Sequence, residues 1–228
     1  MRINKYLALN KHSTRKGADE LISDGKVFIN DRLAVLGEKV AFGDRVDVRF
    51  RGKQKPYIYI AYNKPKGIVT HSAQNGDQEI KHVVAIKDVF PVGRLDKDSH
   101  GLIILTNDGR ITERLLGPTY AHEKEYIVKT KNTLRSGFKE KMEGGVRIDN
   151  DQTDRCKVRI INDRMFSVVL TEGKKHQIRR MCVALFQEVE DLERVRIMNI
   201  RLGKLPIGSN RTLEGEELRA FLRSLELA

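Results

Sequence analysis

Gly93-Arg94-Leu95-Asp96-Lys97-Asp98-Ser99-His100-Gly101-Leu102 runs directly into the apolar Ile103-Ile104-Leu105. Glycines bound a polar loop, and the apolar run behind it reads as a buried strand. The loop sets one carboxylate, Asp96, between two cations, Arg94 and Lys97. Neighbouring positive charge favours the ionised carboxylate, and the strand gives it a rigid support. By residue type alone, other readings stay open. Asp96-x-Asp98-x-His100-Gly101 matches the first half of a calcium-binding loop, but Asn107 stands where glutamate is needed and no paired helices flank it. Asp96 and Asp98 could divide acid and base roles, although the surrounding positive charge opposes a raised pKa on either. A lone loop aspartate is also commonly a turn former.

The whole chain narrows these choices. Its 228 residues, 39% of them hydrophobic, suffice for a small domain beside a larger one. With 43 Lys and Arg against 31 Asp and Glu, the net charge of +12 and pI of about 9.7 point to a polyanionic partner, most simply nucleic acid. No stretch approaches the roughly 20 apolar residues that span a bilayer, so no membrane partner is expected. The start, Met1-Arg2-Ile3-Asn4-Lys5-Tyr6, lacks the apolar run of a signal peptide. Cys156 and Cys182 have no Cys-x-x-Cys spacing, which fits a reducing cytoplasm and two small core residues. Histidines never recur at metal-binding spacing, and neither a P-loop nor a dinucleotide glycine fingerprint is present.

Periodicity divides the chain. Ile3, Tyr6 and Leu7 predict a first helix; Ala18, Leu21 and Ile22 predict a second, stopped by Gly25. Val27 to Ile29 and Arg45 to Arg49 read as strands. Arg15 and Lys16 sit in the first turn of the second helix, where a phosphate partner would offset their unfavourable position in the helix dipole. Residues 50–56 are basic, carry Gly and Pro, and read as a linker. Beyond it, Tyr57 to Tyr62 reads as a strand and Asn63-Lys64-Pro65-Lys66-Gly67 as a cationic turn. His71 to Glu79 reads as a polar loop and Ile111 to Leu116 as a short helix. Further strands are predicted at Glu125 to Lys129, Cys156 to Ile161, Phe166 to Leu170 and Val195 to Ile197. In the helix that includes Gln177 to Cys182, Ile178, Cys182 and Leu185 share the inner face. Lys175 and Arg179 fall on a neighbouring stripe that could face a cleft. An acidic helix from about Glu214 ends the chain.

Residues 1–49 resemble the S4 RNA-binding domain, through Arg2-x-Asn4-Lys5-Tyr6-Leu7-Ala8, Ser13-Thr14-Arg15-Lys16, Leu21-Ile22-x-x-Gly25-x-Val27 and Gly43-Asp44-x-Val46. The resemblance implies that Arg2, Lys5, Arg15, Lys16 and Lys26 meet structured RNA. Residues 57–228 resemble the pseudouridine synthases of the small- and large-subunit ribosomal RNA branch. Four ordered motifs carry this: Asn63-Lys64-Pro65-x-Gly67, the opening loop, Lys124-Glu125-Tyr126, and Gly173-x-x-x-Gln177-Ile178-Arg179-Arg180-Met181. His122-Glu123-Lys124-Glu125-Tyr126 and Glu193-Arg194-x-Arg196-Ile197-Met198-Asn199 are most similar to the F-type branch acting on 23S ribosomal RNA.

That resemblance implies an α+β protein: a small S4 (αL) domain, the 50–56 linker, and a catalytic domain with a mixed, mainly antiparallel sheet and a central RNA-binding cleft. It implies a base-flipping synthase with Asp96 as essential carboxylate, Arg179 paired to it, and Tyr126 stacked on the uracil. Arg94 would contact the backbone or fill the gap left by the flipped base. Lys64 would line the cleft, and Ile178 and Leu202 would pack beneath the base. Lys174, Lys175 and Arg180 would meet RNA beside them. Isomerisation is redox-neutral, so no cofactor or metal is implied. The expected partner is 23S ribosomal RNA or a precursor subunit, with tRNA or 16S ribosomal RNA as alternatives, met by a monomer. Charge and the S4 resemblance alone would equally suit a non-catalytic RNA-binding or ribosome-assembly protein.

Overall fold

The computed structural model describes residues 1–10, 12–13, 15–49, 56–71, 76–117, 119–149 and 151–227. The side chains of Arg15 and Lys16, nearly all of the expected linker (50–55) and part of the polar loop (72–75) lie outside that description. Contacts divide the chain into two units, residues 1–57 with 108–111 and residues 58–107 with 112–228.

In the first unit, α1 (Ile3–Leu9) and α2 (Arg15–Ser23) precede a three-stranded antiparallel sheet of β1 (Val27–Ile29), β2 (Arg32–Leu33) and β3 (Val46–Val48), ordered β2-β1-β3. Ile3 and Leu7 lie four residues apart on one helical face, as do Ala18 and Ile22. They bury against Val27 and Ile29, two apart on one strand face. Asn30 and Asp31 both adopt left-handed backbone, φ 50° and 65°, as a two-residue hairpin requires, and so return the chain from β1 into β2.

The second unit takes the elements β4 (Tyr59–Lys64), α3 (Ile80–Val83), β5 (Phe90–Val92), β6 (His100–Thr106), most of α4 (Arg110–Leu116, whose first two residues count with the first unit), β7 (Lys124–Thr130), α5 (Phe138–Glu143), β8 (Arg147–Ile148), β9 (Asp151–Gln152), β10 (Lys157–Asn162), β11 (Met165–Leu170), α6 (Gln177–Ala184), β12 (Val189–Ile197), β13 (Ile200–Arg201), β14 (Asn210–Thr212) and α7 (Gly215–Ser224). Its main sheet is ordered β10-β11-β7-β12-β6-β4-β14, with β5 on β6 and β13 on β12. Every pairing is antiparallel except β12 with β6. Two antiparallel halves therefore meet at one parallel seam. Each half has its own core: Val128, Phe138, Phe166, Ile178 and Met181 on one side, and Ile60, Tyr62, Ile80, Ile103 and Leu105 on the other.

Two sequence boundaries move, and some short elements were missed. β4 runs on through Asn63 and Lys64, which read as turn, because both are buried and still paired to β6. β12 begins at Val189, well before Val195, since charged residues alternate into it. α3, α5 and the β8–β9 hairpin are too short to leave a periodic signal.

Candidate active site

The register at the seam sets the site. Tyr126 of β7 lies opposite Arg194 of β12, Arg194 opposite Gly101 of β6, and Gly101 opposite Lys64 of β4. Direct cross-strand partners share a sheet face, so Tyr126, Arg194 and Lys64 form one row. Gly101 is the necessary gap. A Cβ there would stand 2.4 Å from the Arg194 carbonyl oxygen and 2.7 Å from its amide nitrogen, and the backbone φ of +106° is one that side chains resist.

The loop of residues 94–99 is fastened carbonyl by carbonyl. Arg194 Nη1 donates to the Arg94 carbonyl (3.2 Å), the Thr70 hydroxyl to Leu95 (2.9 Å), and the Ser99 amide to Asp96 (3.1 Å). The Gly67 amide donates to Lys97 (2.8 Å), Arg179 Nη2 to Asp98 (3.0 Å), and Lys64 Nζ to Ser99 (2.9 Å). Thr70 also accepts the Leu95 amide at 3.1 Å, and Arg194 Nε donates to Leu102 at 2.7 Å. Six successive carbonyls are satisfied, three of them by charged side chains, which make the stronger bonds. The Asp96 side chain meanwhile stays 36% exposed.

Several expected roles change. Lys64 does not line an open cleft; its side chain is fully buried, its ammonium bonded to the Pro65 and Ser99 carbonyls. Burial pushes its pKa from 10.5 down to about 8, against the opposing pull of the Asp96 carboxylate. Arg179 is directed to the Asp98 carbonyl and the Ser99 hydroxyl (3.3 Å) rather than onto the Asp96 carboxylate, because it reaches across the loop's backbone. Lys97 turns away from Asp96 to pair with Asp77 at 2.7 Å. Arg94 is exposed, and its backbone rather than its side chain is held.

Tyr126 and Ile178 pack against the same core, while Leu202 is buried after β13 with its amide on the Val195 carbonyl. Lys174 is paired with Asp151 and Arg180 with Asp149; Lys175 is exposed. In the first unit Arg2 and Lys5 are exposed and Lys26 pairs with Asp24 at 2.6 Å.

Four participants were not foreseen. Arg194, only 4% exposed, holds the carbonyls of Arg94 and Leu102 on either side of the loop. Its signal was present in the sequence: it shares strand parity with Leu192, so a cation lies on an apolar face. Thr70 gave no such signal. His176 adopts left-handed backbone, φ 51°, just before α6 and brings Nε2 to 3.6 Å from Asp96 Oδ1. Beside the loop, Asp191 on β12 accepts from His100 Nε2 at 3.0 Å and pairs with Lys66. Burial pushes the Asp191 carboxyl up, but bonds from Lys66 and His100 outweigh it and hold the pKa below the usual carboxylate value.

A small unit of two helices and a three-stranded sheet thus precedes a larger mixed sheet that holds the backbone of residues 94–99 and leaves the Asp96 carboxylate accessible, and comparison with known proteins gives these two parts their class. The family model for RNA pseudouridylate synthase matches residues 58–184 and that for the S4 domain matches residues 1–46. The chain belongs to the RNA pseudouridylate synthase family and isomerises uridine in RNA. It is 39% identical to the dual-specificity RNA pseudouridine synthase RluF of Salmonella typhi, over 99% of this chain and 80% of that protein. It is 31% identical to the ribosomal large subunit pseudouridine synthase B of Bacillus subtilis (strain 168), over 98% of this chain and 96% of that one. A solved structure described as a pseudouridylate synthase superposes with a TM-score of 0.72 at 26% identity, covering 99% of both chains. Membership of an enzyme family sets aside the reading as a non-catalytic binding module.

Proposed function

We propose that this synthase flips a uridine of 23S ribosomal RNA out of its stack and isomerises it with Asp96 as the essential carboxylate. The observation that carries this reading is the six-carbonyl anchorage of residues 94–99 beneath an accessible Asp96 side chain. A group that must meet one ribose carbon gains most from such fixed geometry.

The reaction breaks the bond from ribose C1′ to uracil N1, turns the base, and joins C1′ to C5. The C5 proton is lost and N1 regains one, so composition and oxidation state are unchanged. Asp96 either bonds to C1′ or assists formation of a glycal; both routes require it beside the ribose. Tyr126 stacks on the uracil, with Ile178 and Leu202 beneath. Arg179 acts by fixing the Asp98–Ser99 backbone and by its charge near Asp96. Exposed Arg94 meets the backbone or fills the gap left in the stack. Arg2, Lys5, Arg15, Lys16 and Lys26 serve the S4 module, and Lys174, Lys175 and Arg180 the catalytic one. The enzyme acts as a monomer in the cytoplasm.

The large-subunit target is supported by the name of the Bacillus subtilis relative. The word dual-specificity in the name of the Salmonella typhi relative favours a second RNA, such as a tRNA. Mapping pseudouridines across total RNA from cells with and without this protein tests the target: a site lost from 23S ribosomal RNA, with or without a second RNA losing one, supports it, and loss only from other RNA overturns it. For the carboxylate, Asp96→Ala should lower isomerisation by at least about a thousandfold while RNA affinity is largely kept. Retained isomerisation would remove Asp96 from the mechanism.

A further inference from the structure

A groove of about 340 Å³ runs along the outer face of α6 and against β8. Arg147, His176, Arg179 and Arg180 supply its polar wall, and Ile148 and Val183 its apolar one. One carboxylate lies there, Asp149, which pairs with Arg180. Three guanidiniums thus face one carboxylate, leaving a net positive groove before any charge on His176. Arg147 is exposed on β8, and the bonds that Arg179 makes are to a carbonyl and a hydroxyl, which leave its charge uncompensated.

The α6 side of the apolar wall, Val183 and Ala184, is open to solvent, while Ile148 is buried at its base. Val183 is 66% exposed although Ile178, Met181 and Cys182 of the same helix are buried in the core. The strip continues to Phe186, 73% exposed, whose ring carries the Arg135 guanidinium 4.8 Å from its centre. Cations beside exposed apolar and aromatic surface suit an unpaired nucleotide, whose phosphate takes the first and whose base takes the second. At 340 Å³ the groove falls in the size range of small-ligand sites.

Two of its residues also reach the loop. His176 Nε2 stands 3.6 Å from Asp96 Oδ1, and Arg179 holds the Asp98 carbonyl. From this continuity we infer that the groove binds an unpaired nucleotide next to the target uridine in the same RNA strand. Its phosphate lies on Arg147 and Arg179, and its base lies against Val183 and Ala184. The inference rests on Asp96 marking the place of the target uridine. It makes α6 a reader of single-stranded context around the modified base.

The test uses the full chain and a fluorescein-labelled oligouridylate of about 12 nucleotides, within the span of single-strand sites. Arg147→Glu and Val183→Asp should each weaken binding by about tenfold. Arg147→Glu should also flatten the slope of log Kd against log salt by about 0.7, the contribution of one single-strand phosphate. Arg147→Lys should recover most of the affinity. In a 23S ribosomal RNA transcript carrying sparse 4-thiouridine, photocrosslinks should fall on peptides from residues 146–149 and 177–186. Unchanged affinity and slope in both groove variants, or crosslinks confined to other segments, would overturn the groove. Failure of the Asp96 reading is seen separately, as isomerisation retained by Asp96→Ala while groove binding keeps its dependence on Arg147.

Discussion

The cations of the catalytic seam and those of the first unit do opposite work. Among the described residues of 1–49, four cations meet carboxylates near the surface: Lys26 with Asp24, Arg32 with Glu38, Arg45 with Asp31 and Asp47, Arg49 with Asp31. Exposed pairs of this kind contribute little to stability and are screened by salt. Around residues 94–99, Lys64 and Arg194 are buried, and the hydrogen bonds they make are to backbone carbonyls. There the positive charge fixes backbone geometry. One set can exchange its carboxylates for phosphates; the other cannot leave without releasing the loop.

The largest effect should come from closing the gap at the seam. Gly101→Ala would drive a methyl into the Arg194 backbone at a φ suited to glycine, so a loss of about 3 kcal/mol or more in urea denaturation is expected, with isomerisation lost too. Near-normal stability would mean that the seam yields easily and that the row across it does not hold the loop. Arg194→Met strips the donors from the Arg94 and Leu102 carbonyls. Each buried carbonyl left bare costs about 1–3 kcal/mol, so stability should fall.

Lys64 gives the same contrast a pH signature. Burial lowers its folded pKa from 10.5 to about 8, so the unfolded chain holds this proton more tightly than the folded one. The burden of the buried ammonium is full below about pH 8 and is relieved as pH rises toward 10.5. Stability of the wild type relative to Lys64→Met should therefore rise across that window, by no more than about 3.5 kcal/mol, since one pKa unit is about 1.4 kcal/mol. Urea titrations at several pH values measure it. Parallel pH profiles for the two proteins would show that Lys64 is not held as a strained buried cation.

Much of the first unit was legible because its helices and strands each bury one periodic face: Ile3 with Leu7, Ala18 with Ile22, Val27 with Ile29. The opening loop and the strand behind it were legible for the same reason. The row from Tyr126 through Arg194 and Gly101 to Lys64 was not, because it depends on the register among four strands distant in sequence. Lys64 was misread since Pro65-x-Gly67 signals a turn, while the preceding strand is buried at every position and so shows no alternation. His176 depends on one left-handed backbone angle that its residue type does not announce. The groove escaped for a similar reason: β8 is two residues long, and α6 brings it a neighbour only in three dimensions.

The smallest effect on folding should fall on the surface set, and it discriminates best when paired with Arg194. Lys5 is exposed on α1, the helix whose buried residues are Ile3 and Leu7. Lys5→Ala should leave the urea midpoint unchanged but weaken RNA binding and lower the salt slope by up to about 0.9, one duplex phosphate. Arg194→Met should do the converse, losing stability and turnover while the salt slope holds. If instead Lys5→Ala leaves the slope intact and Arg194→Met flattens it, the division fails: the buried cation would be meeting phosphate and the surface one would not. A double variant whose two effects add would place the cations in independent roles, as expected for sites that share no partner.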